Sequence, residues 1–202
     1  MNGPRVAVVG AGLGGLCLAQ GLRRAGVEVA VYERDDAPDS RRQGYRLHVD
    51  ARAGLALRDC LPPELLQLFL ATCGQPGRAF TVVTEGLRLL HRTELDRTAD
   101  PYAPEALATS VDRRTLRELL ATGLAERIHY RHELTGLQQD ADGVRLRFAD
   151  GREATADLLV GADGVNSAVR RAHLPQARVP DTGGRVVYGR TELSPAVERL
   201  LP

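Results

Sequence analysis

A short apolar run, Val6 to Val9, leads directly into Gly10, Gly12 and Gly15, then a segment of helical period, a second apolar run and Glu33. That order is a β-α-β unit with a G-x-G-x-x-G turn and an acidic residue about 20 positions further on, the pattern of a dinucleotide-binding site. Gly10 permits the tight strand-to-helix turn, Gly12 lets backbone approach a pyrophosphate, and Gly15 lets the helix pack close to the strand. Gly14 lies in the same turn. The helix N-terminus offers unpaired N–H groups and a partial positive charge to phosphates. Glu33 can accept hydrogen bonds from both hydroxyls of an adenosine ribose. It also repels a 2′-phosphate, so an unphosphorylated adenosine, as in FAD or NAD, is favoured over NADP.

At 202 residues and 43% hydrophobic content the chain has room for one large domain or one and a half. A net charge of +1 gives no argument for nucleic acid or a membrane surface. Every basic side chain besides histidine is arginine, which removes any mechanism through a Schiff-base lysine. Cys17, Cys60 and Cys73 form no C-x-x-C pair, and their odd number argues against a disulfide framework. Cys17 reads as a small core residue of the first helix. No stretch approaches a membrane span, and a first strand at Arg5 leaves no room for a signal peptide, so the expected location is cytoplasmic. His129 and His132 invite a metal-ligand reading. Residues three apart on a strand point to opposite faces, however, and no metal site is expected.

Further along, Arg34 to Gln43 reads as a polar loop and Gly44 to Val49 as a short strand. Helical runs follow at Ala51 to Cys60 and Glu64 to Ala71, separated by Pro62-Pro63. Phe80 to Val83 and Leu87 to Leu90 read as strands joined by Glu85-Gly86. Thr109 to Leu124 is a strand end running into a helix, capped by Ser110 or Asp112, with Leu116, Leu119 and Leu120 as its buried stripe. A meander follows, with Asp142-Gly143 and Asp150-Gly151 as type I′ turn signals. Gly184 to Thr191 reads as a further strand.

The tripeptide Ala-Asp-Gly occurs three times. At 141–143 and 149–151 it lies between alternating strands and marks turns. At 162–164 it follows the apolar run Leu158, Leu159, Val160 and precedes a helix, which places Asp163 at the C-terminal edge of a sheet, where ligands of open α/β sheets sit. A plain helix cap is the alternative for Asp163. The segment Gly161 to Arg170 (GADGVNSAVR) resembles the D-G-x-x-S-x-V-R stretch of the flavin-dependent aromatic monooxygenases, the p-hydroxybenzoate hydroxylase-like family. Arg113, Leu116 and Leu120 are similar to that family's R-x-x-L-x-x-x-L helix, and Tyr32-Glu33-Arg34-Asp35 with Arg41 and Gly44 to its tetracycline-inactivating and polyketide-hydroxylating branches.

The resemblance implies an α/β fold: a Rossmann-like FAD-binding domain with a parallel sheet and β-meander over residues 1–74 and 107–179, and the start of a second, substrate-side β-sheet domain over 75–106 and 180–202. It implies FAD as cofactor, NADH or NADPH as reductant, and oxygen-dependent hydroxylation of an aromatic or polyketide-like small molecule. The residues carried over as cofactor-binding are Gly10, Gly12, Gly14, Gly15, Glu33, Arg34, Arg41, Arg113, Asp163 and Gly164, with the choice between Arg41 and Arg42 open. No catalytic residue is assigned, since the flavin carries the chemistry. The family's G-D-A-A-H-type motif has no match here, so the chain reads as an N-terminal portion. Two alternatives stand beside this reading: an FAD-binding fragment without activity of its own, and another flavoprotein of the same fold, such as a geranylgeranyl-reductase-like enzyme.

Overall fold

The computed structural model describes residues 3–38, 40, 46–75, 79–94, 100, 102–185, 191–192 and 194–199. Strand β1 (Arg5–Val9) runs through the Gly-rich turn into helix α1 (Leu13–Arg24), and β2 (Glu28–Tyr32) pairs parallel beside β1. Strand β3 (Arg46–Asp50) is followed by helices α2 (Ala51–Cys60) and α3 (Pro63–Thr72). The hairpin β4 (Ala79–Val83) and β5 (Leu89–Glu94) comes next, then β6 (Ala108–Asp112) and helix α4 (Arg113–Ala121). Strand β7 (Ile128–His129) precedes the meander β8 (Leu134–Asp140), β9 (Gly143–Phe148) and β10 (Glu153–Ala156). Strand β11 (Leu158–Gly161) and helices α5 (Ala168–His173) and α6 (Pro195–Glu198) complete the order.

The parallel sheet has the order β11-β1-β2-β7, with β1 central, as the crossover pattern of α/β folds requires. The unbroken apolar run of β1 follows from burial on both faces. Val6 and Val8 point into a core shared with Leu16, Val31, Leu116 and Leu120. Ala7 and Val9 point into a second core formed with Leu134, Leu146 and Phe148 of the meander. Helices α1, α2 and α4 thus lie on one side of the sheet and the meander on the other.

Strands β3 and β6 make a separate antiparallel pair, and β4 and β5 pair with each other outside the parallel sheet. That hairpin exposes Phe80, Leu87, Leu89 and Leu90, and Leu87 adopts φ +60°. The strand expected at 184–191 is absent from Gly184, Arg185 and Thr191, and residues 186–190 lie outside the described residues. The meander turns also differ from the type I′ expectation, because only the glycines take positive φ: +135° at Gly143 and +85° at Gly151. At the second turn the Gly151 N–H donates to the Phe148 carbonyl, and Phe148 N–H donates to Arg152. This is a three-residue loop in which a left-handed glycine closes a right-handed turn, so Asp150 escapes the strain that a type I′ turn would impose.

A candidate dinucleotide site at the C-terminal edge of the sheet

Three loops meet where β1, β2 and β11 end in register, Val9 lying opposite both Tyr32 and Gly161. The first is the Gly-rich turn. Gly10 has φ +109°, and a Cβ on it would stand 2.5 Å from the Ala162 carbonyl oxygen; a Cβ on Gly15 would stand 2.0 Å from the Gly10 oxygen. These two glycines are demanded by the chain itself. Gly12 and Gly14 differ: a Cβ at either would meet no protein atom within 4 Å. The space in front of Gly12, at the N-terminus of α1, is open to a ligand.

The second loop carries Glu33, buried to 8% exposure. Its Oε2 accepts the Ala11 N–H at 2.7 Å and its Oε1 the Asp35 N–H at 3.0 Å, leaving each oxygen one further acceptor position. The backbone around Glu33 is clamped in turn: its N–H donates to His129 and its carbonyl accepts from His132. Arg34 is exposed and makes no hydrogen bond among the described residues, and Arg41, Arg42 and Gly44 lie outside them.

The third loop holds Asp163, brought against Gly10 by the β1–β11 pairing. Its Oδ2 accepts the N–H groups of Ala168 (2.6 Å) and Val169 (3.3 Å), so the helix-cap role is real. Its Oδ1 is buried without a partner and so remains a free acceptor. Other residues of this stretch have structural duties. Ser167 Oγ accepts the Arg170 N–H, Val169 packs where a Cβ on Gly161 would go, and the Arg170 guanidinium donates to the Val165 carbonyl. Gly164 takes φ +80° beside open space.

Helix α4 presents Arg113, half-buried and without a hydrogen bond or ion pair among the described residues. Asp112, not Ser110, caps the helix by accepting the Thr115 N–H. The fully buried Gln20 ties α4 to α1, its Nε2 donating to the carbonyls of Leu120 and Thr122 at 2.8 Å. Arg117, not anticipated from the sequence, reaches across the site: its Nε donates to the Ala11 carbonyl at 3.1 Å, and a second nitrogen donates to Pro38.

The histidines correct one expectation. Strand β7 stops at His129, and Arg131 turns the chain at φ +59°. The rings of His129 and His132 therefore meet, 5.7 Å apart, in a cluster with Tyr32 and Phe148. Burial, then the charges of His132 and Arg152, push His129 below the usual histidine range. Among the described residues no group of His, Cys, Asp and Glu is arranged to hold a metal. Cys17 and Cys60 face each other between α1 and α2, and burial together with the neighbouring thiol pushes Cys17 up to about 12. Among the described residues no helix is long and apolar enough to cross a membrane. A cavity of about 480 Å³ at the 140–143 turn, lined by Leu137, Val144 and His173, touches neither the Gly-rich turn nor the Glu33 loop and meets the third stretch at Val169.

The FAD binding domain family matches residues 4–186. The dual O-methyltransferase/FAD-dependent monooxygenase CTB3 of Cercospora beticola is 35% identical over 198 residues, covering 94% of this chain and 22% of its own. The 3-amino-4-hydroxybenzoate 2-monooxygenase PtmB3 of Streptomyces platensis is 36% identical, over 93% of this chain and 46% of its own. Among solved structures, one assigned as an FAD-containing monooxygenase from Photorhabdus luminescens superposes with a TM-score of 0.79 at 33% identity, over 98% of this chain and 50% of that one. HpxO of Klebsiella pneumoniae, solved with FAD and uric acid, superposes with a TM-score of 0.66 at 25% identity, over 83% of this chain and 41% of that one. The chain thus spans half or less of the length of these relatives. With its Gly-rich turn, buried Glu33 and Asp163 gathered at one sheet edge, the chain belongs to the FAD binding domain family.

Proposed function

We propose that this chain is the adenosine-diphosphate-gripping part of an FAD-dependent monooxygenase that uses NADH or NADPH and oxygen to hydroxylate an aromatic or polyketide-like small molecule. One observation carries the reading. Three acceptor and donor groups that the protein leaves incompletely used converge at one sheet edge: the open backbone at Gly12, the remaining acceptor positions of Glu33, and the buried, unpartnered Oδ1 of Asp163. These fit the alternating hydroxyls and phosphates of a dinucleotide. Bound FAD would supply hydride acceptance from the nicotinamide and activation of oxygen.

In this reading Glu33 holds the adenosine ribose, and the N–H groups around Gly12, Gly14 and Gly15 hold the pyrophosphate. Arg113 supplies a cation beside the cofactor, and Asp163 accepts a hydroxyl from it. Gly164 leaves the backbone open beside Asp163, Arg34 belongs to the loop bordering the site, and Arg41 is carried over from the resemblance alone. Residues 1–74 and 107–179 form the cofactor domain, and 75–106 with 180–202 open the substrate-side sheet, the exposed apolar hairpin β4–β5 being its first wall. The free thiols of Cys17, Cys60 and Cys73 agree with a cytoplasmic setting, and a net charge of +1 with a small-molecule rather than a nucleic-acid partner.

Because the chain covers half or less of its relatives, we propose weak FAD binding and no substrate hydroxylation by residues 1–202 alone. Flavin titration of the purified chain, followed by NAD(P)H consumption under oxygen, tests both parts. A chain that leaves flavin absorbance and fluorescence unchanged at millimolar FAD removes the reading. Tightly held FAD with coupled product formation removes the restriction to binding.

A further inference from the structure

Resting on that reading, we propose that Arg117 is a positioning residue, which fixes the direction of the Gly12 N–H so that it faces the cofactor pyrophosphate. The Ala11 carbonyl and the Gly12 N–H belong to one planar peptide and point in opposite directions. Arg117 Nε holds that carbonyl at 3.1 Å. The N–H on the other end of the same peptide is thereby aimed away from the guanidinium, and a Cβ on Gly12 would meet no protein atom within 4 Å.

The preceding peptide is pinned independently. The Ala11 N–H donates to Glu33 Oε2 at 2.7 Å, and the Gly10 N–H donates to the Tyr32 carbonyl at 2.8 Å. Glu33 and Arg117 therefore grip Ala11 from its two ends, one as acceptor and the other as donor. The second arm of Arg117 donates to the Pro38 carbonyl, so the same guanidinium links the Gly-rich turn to the loop that follows Glu33. This use needs a planar fork with two separated donors, which arginine has and lysine lacks. The base of the side chain is itself anchored, because buried Gln20 holds α4 against α1 through two carbonyls. A turn set in this way presents its donor to a phosphate without reorganising on binding.

The test compares the full chain with its Arg117→Met and Arg117→Lys variants. FAD affinity is read from flavin fluorescence, and the affinities of ADP and adenosine from competition. The chain contains no tryptophan, so the flavin signal is not overlaid by indole emission. Arg117→Met is expected to weaken FAD and ADP by about tenfold, the size of one lost well-placed hydrogen bond. Adenosine, which has no phosphate, should bind as before, and the ligand-free chain should remain folded in both variants. Arg117→Lys should stay close to Arg117→Met. Equal loss for adenosine and ADP, or full recovery in Arg117→Lys, would overturn the inference by showing a general structural or purely electrostatic role. Unchanged FAD and ADP binding in Arg117→Met overturns it while leaving the FAD reading intact. A parent chain that binds neither FAD nor ADP overturns both.

Discussion

Gly10 and Ala162 are 152 positions apart, yet a single methyl group on the first would lie 2.5 Å from the carbonyl oxygen of the second. The contact joins the Gly-rich turn to the loop that carries Asp163, and it separates two kinds of glycine in one motif. Gly10→Ala adds both a steric clash and a left-handed alanine. It should lower stability by about 2–5 kcal/mol in urea unfolding, the sum of overpacking and backbone strain. Gly12→Val places its Cβ where no protein atom lies within 4 Å and has an ordinary φ of −75°. It should leave the melting curve within about 1 kcal/mol of the parent while abolishing flavin binding. A Gly12→Val chain that retains yellow colour would place the pyrophosphate elsewhere.

Glu33→Ala should weaken FAD by about 1.5–3 kcal/mol, the scale of hydrogen bonds to a charged group. The variant also frees the N–H groups of Ala11 and Asp35, so faster amide exchange at both is expected alongside the affinity loss.

Gln20→Leu removes the donor shared by the carbonyls of Leu120 and Thr122 but also removes the buried, unpartnered Oε1. The net cost should be about 1–3 kcal/mol in the unfolding free energy. The loss should be accompanied by weaker FAD binding, because α4 carries both Arg113 and Arg117.

Stability should fall at both pH extremes for identifiable reasons. Burial raises the thiols of Cys17 to about 12 and Cys73 to about 11, from an ordinary 9.0. Between pH 9 and about 12 the unfolded chain gives up protons that the folded chain keeps, so stability declines across that window. His129 is shifted the other way, below 6.5. As pH falls through that value the unfolded chain takes up a proton that the half-buried ring resists, and stability declines again. His129→Phe, which can keep the stacking on Tyr32, should flatten the acidic limb of a melting-temperature profile; an unaltered limb would assign it to other groups.

Much of the layout of the candidate site was legible because its determinants are local. The turn glycines, the acid at the end of β2 and the Asp163 loop each stand beside the strand that positions them. The features that were not legible depend on distant partners. Arg117 sits in a run of charged helix residues, and only the arrival of Ala11, 106 positions away, makes it a clamp. Cys17 and Cys60 meet because two helices cross. His129 and His132 converge because the strand between them ends early and Arg131 takes a left-handed conformation, which no alternation pattern predicts. The meander turns departed from type I′ for the opposite reason: the Asp-Gly pairs were read correctly as turns, but a neighbouring alanine shares each loop and relieves aspartate of positive φ.

The alternation along β1 has a mechanical consequence. With Val6 and Val8 in one core and Ala7 and Val9 in the other, this strand is a party wall between two hydrophobic compartments. Neither can loosen without shifting the wall on which the Gly-rich turn is mounted. The two compartments should melt as one cooperative unit, with the β1 amides among the slowest in the chain to exchange with solvent. Damage to the meander would then reach the mouth of the candidate site through this five-residue strand.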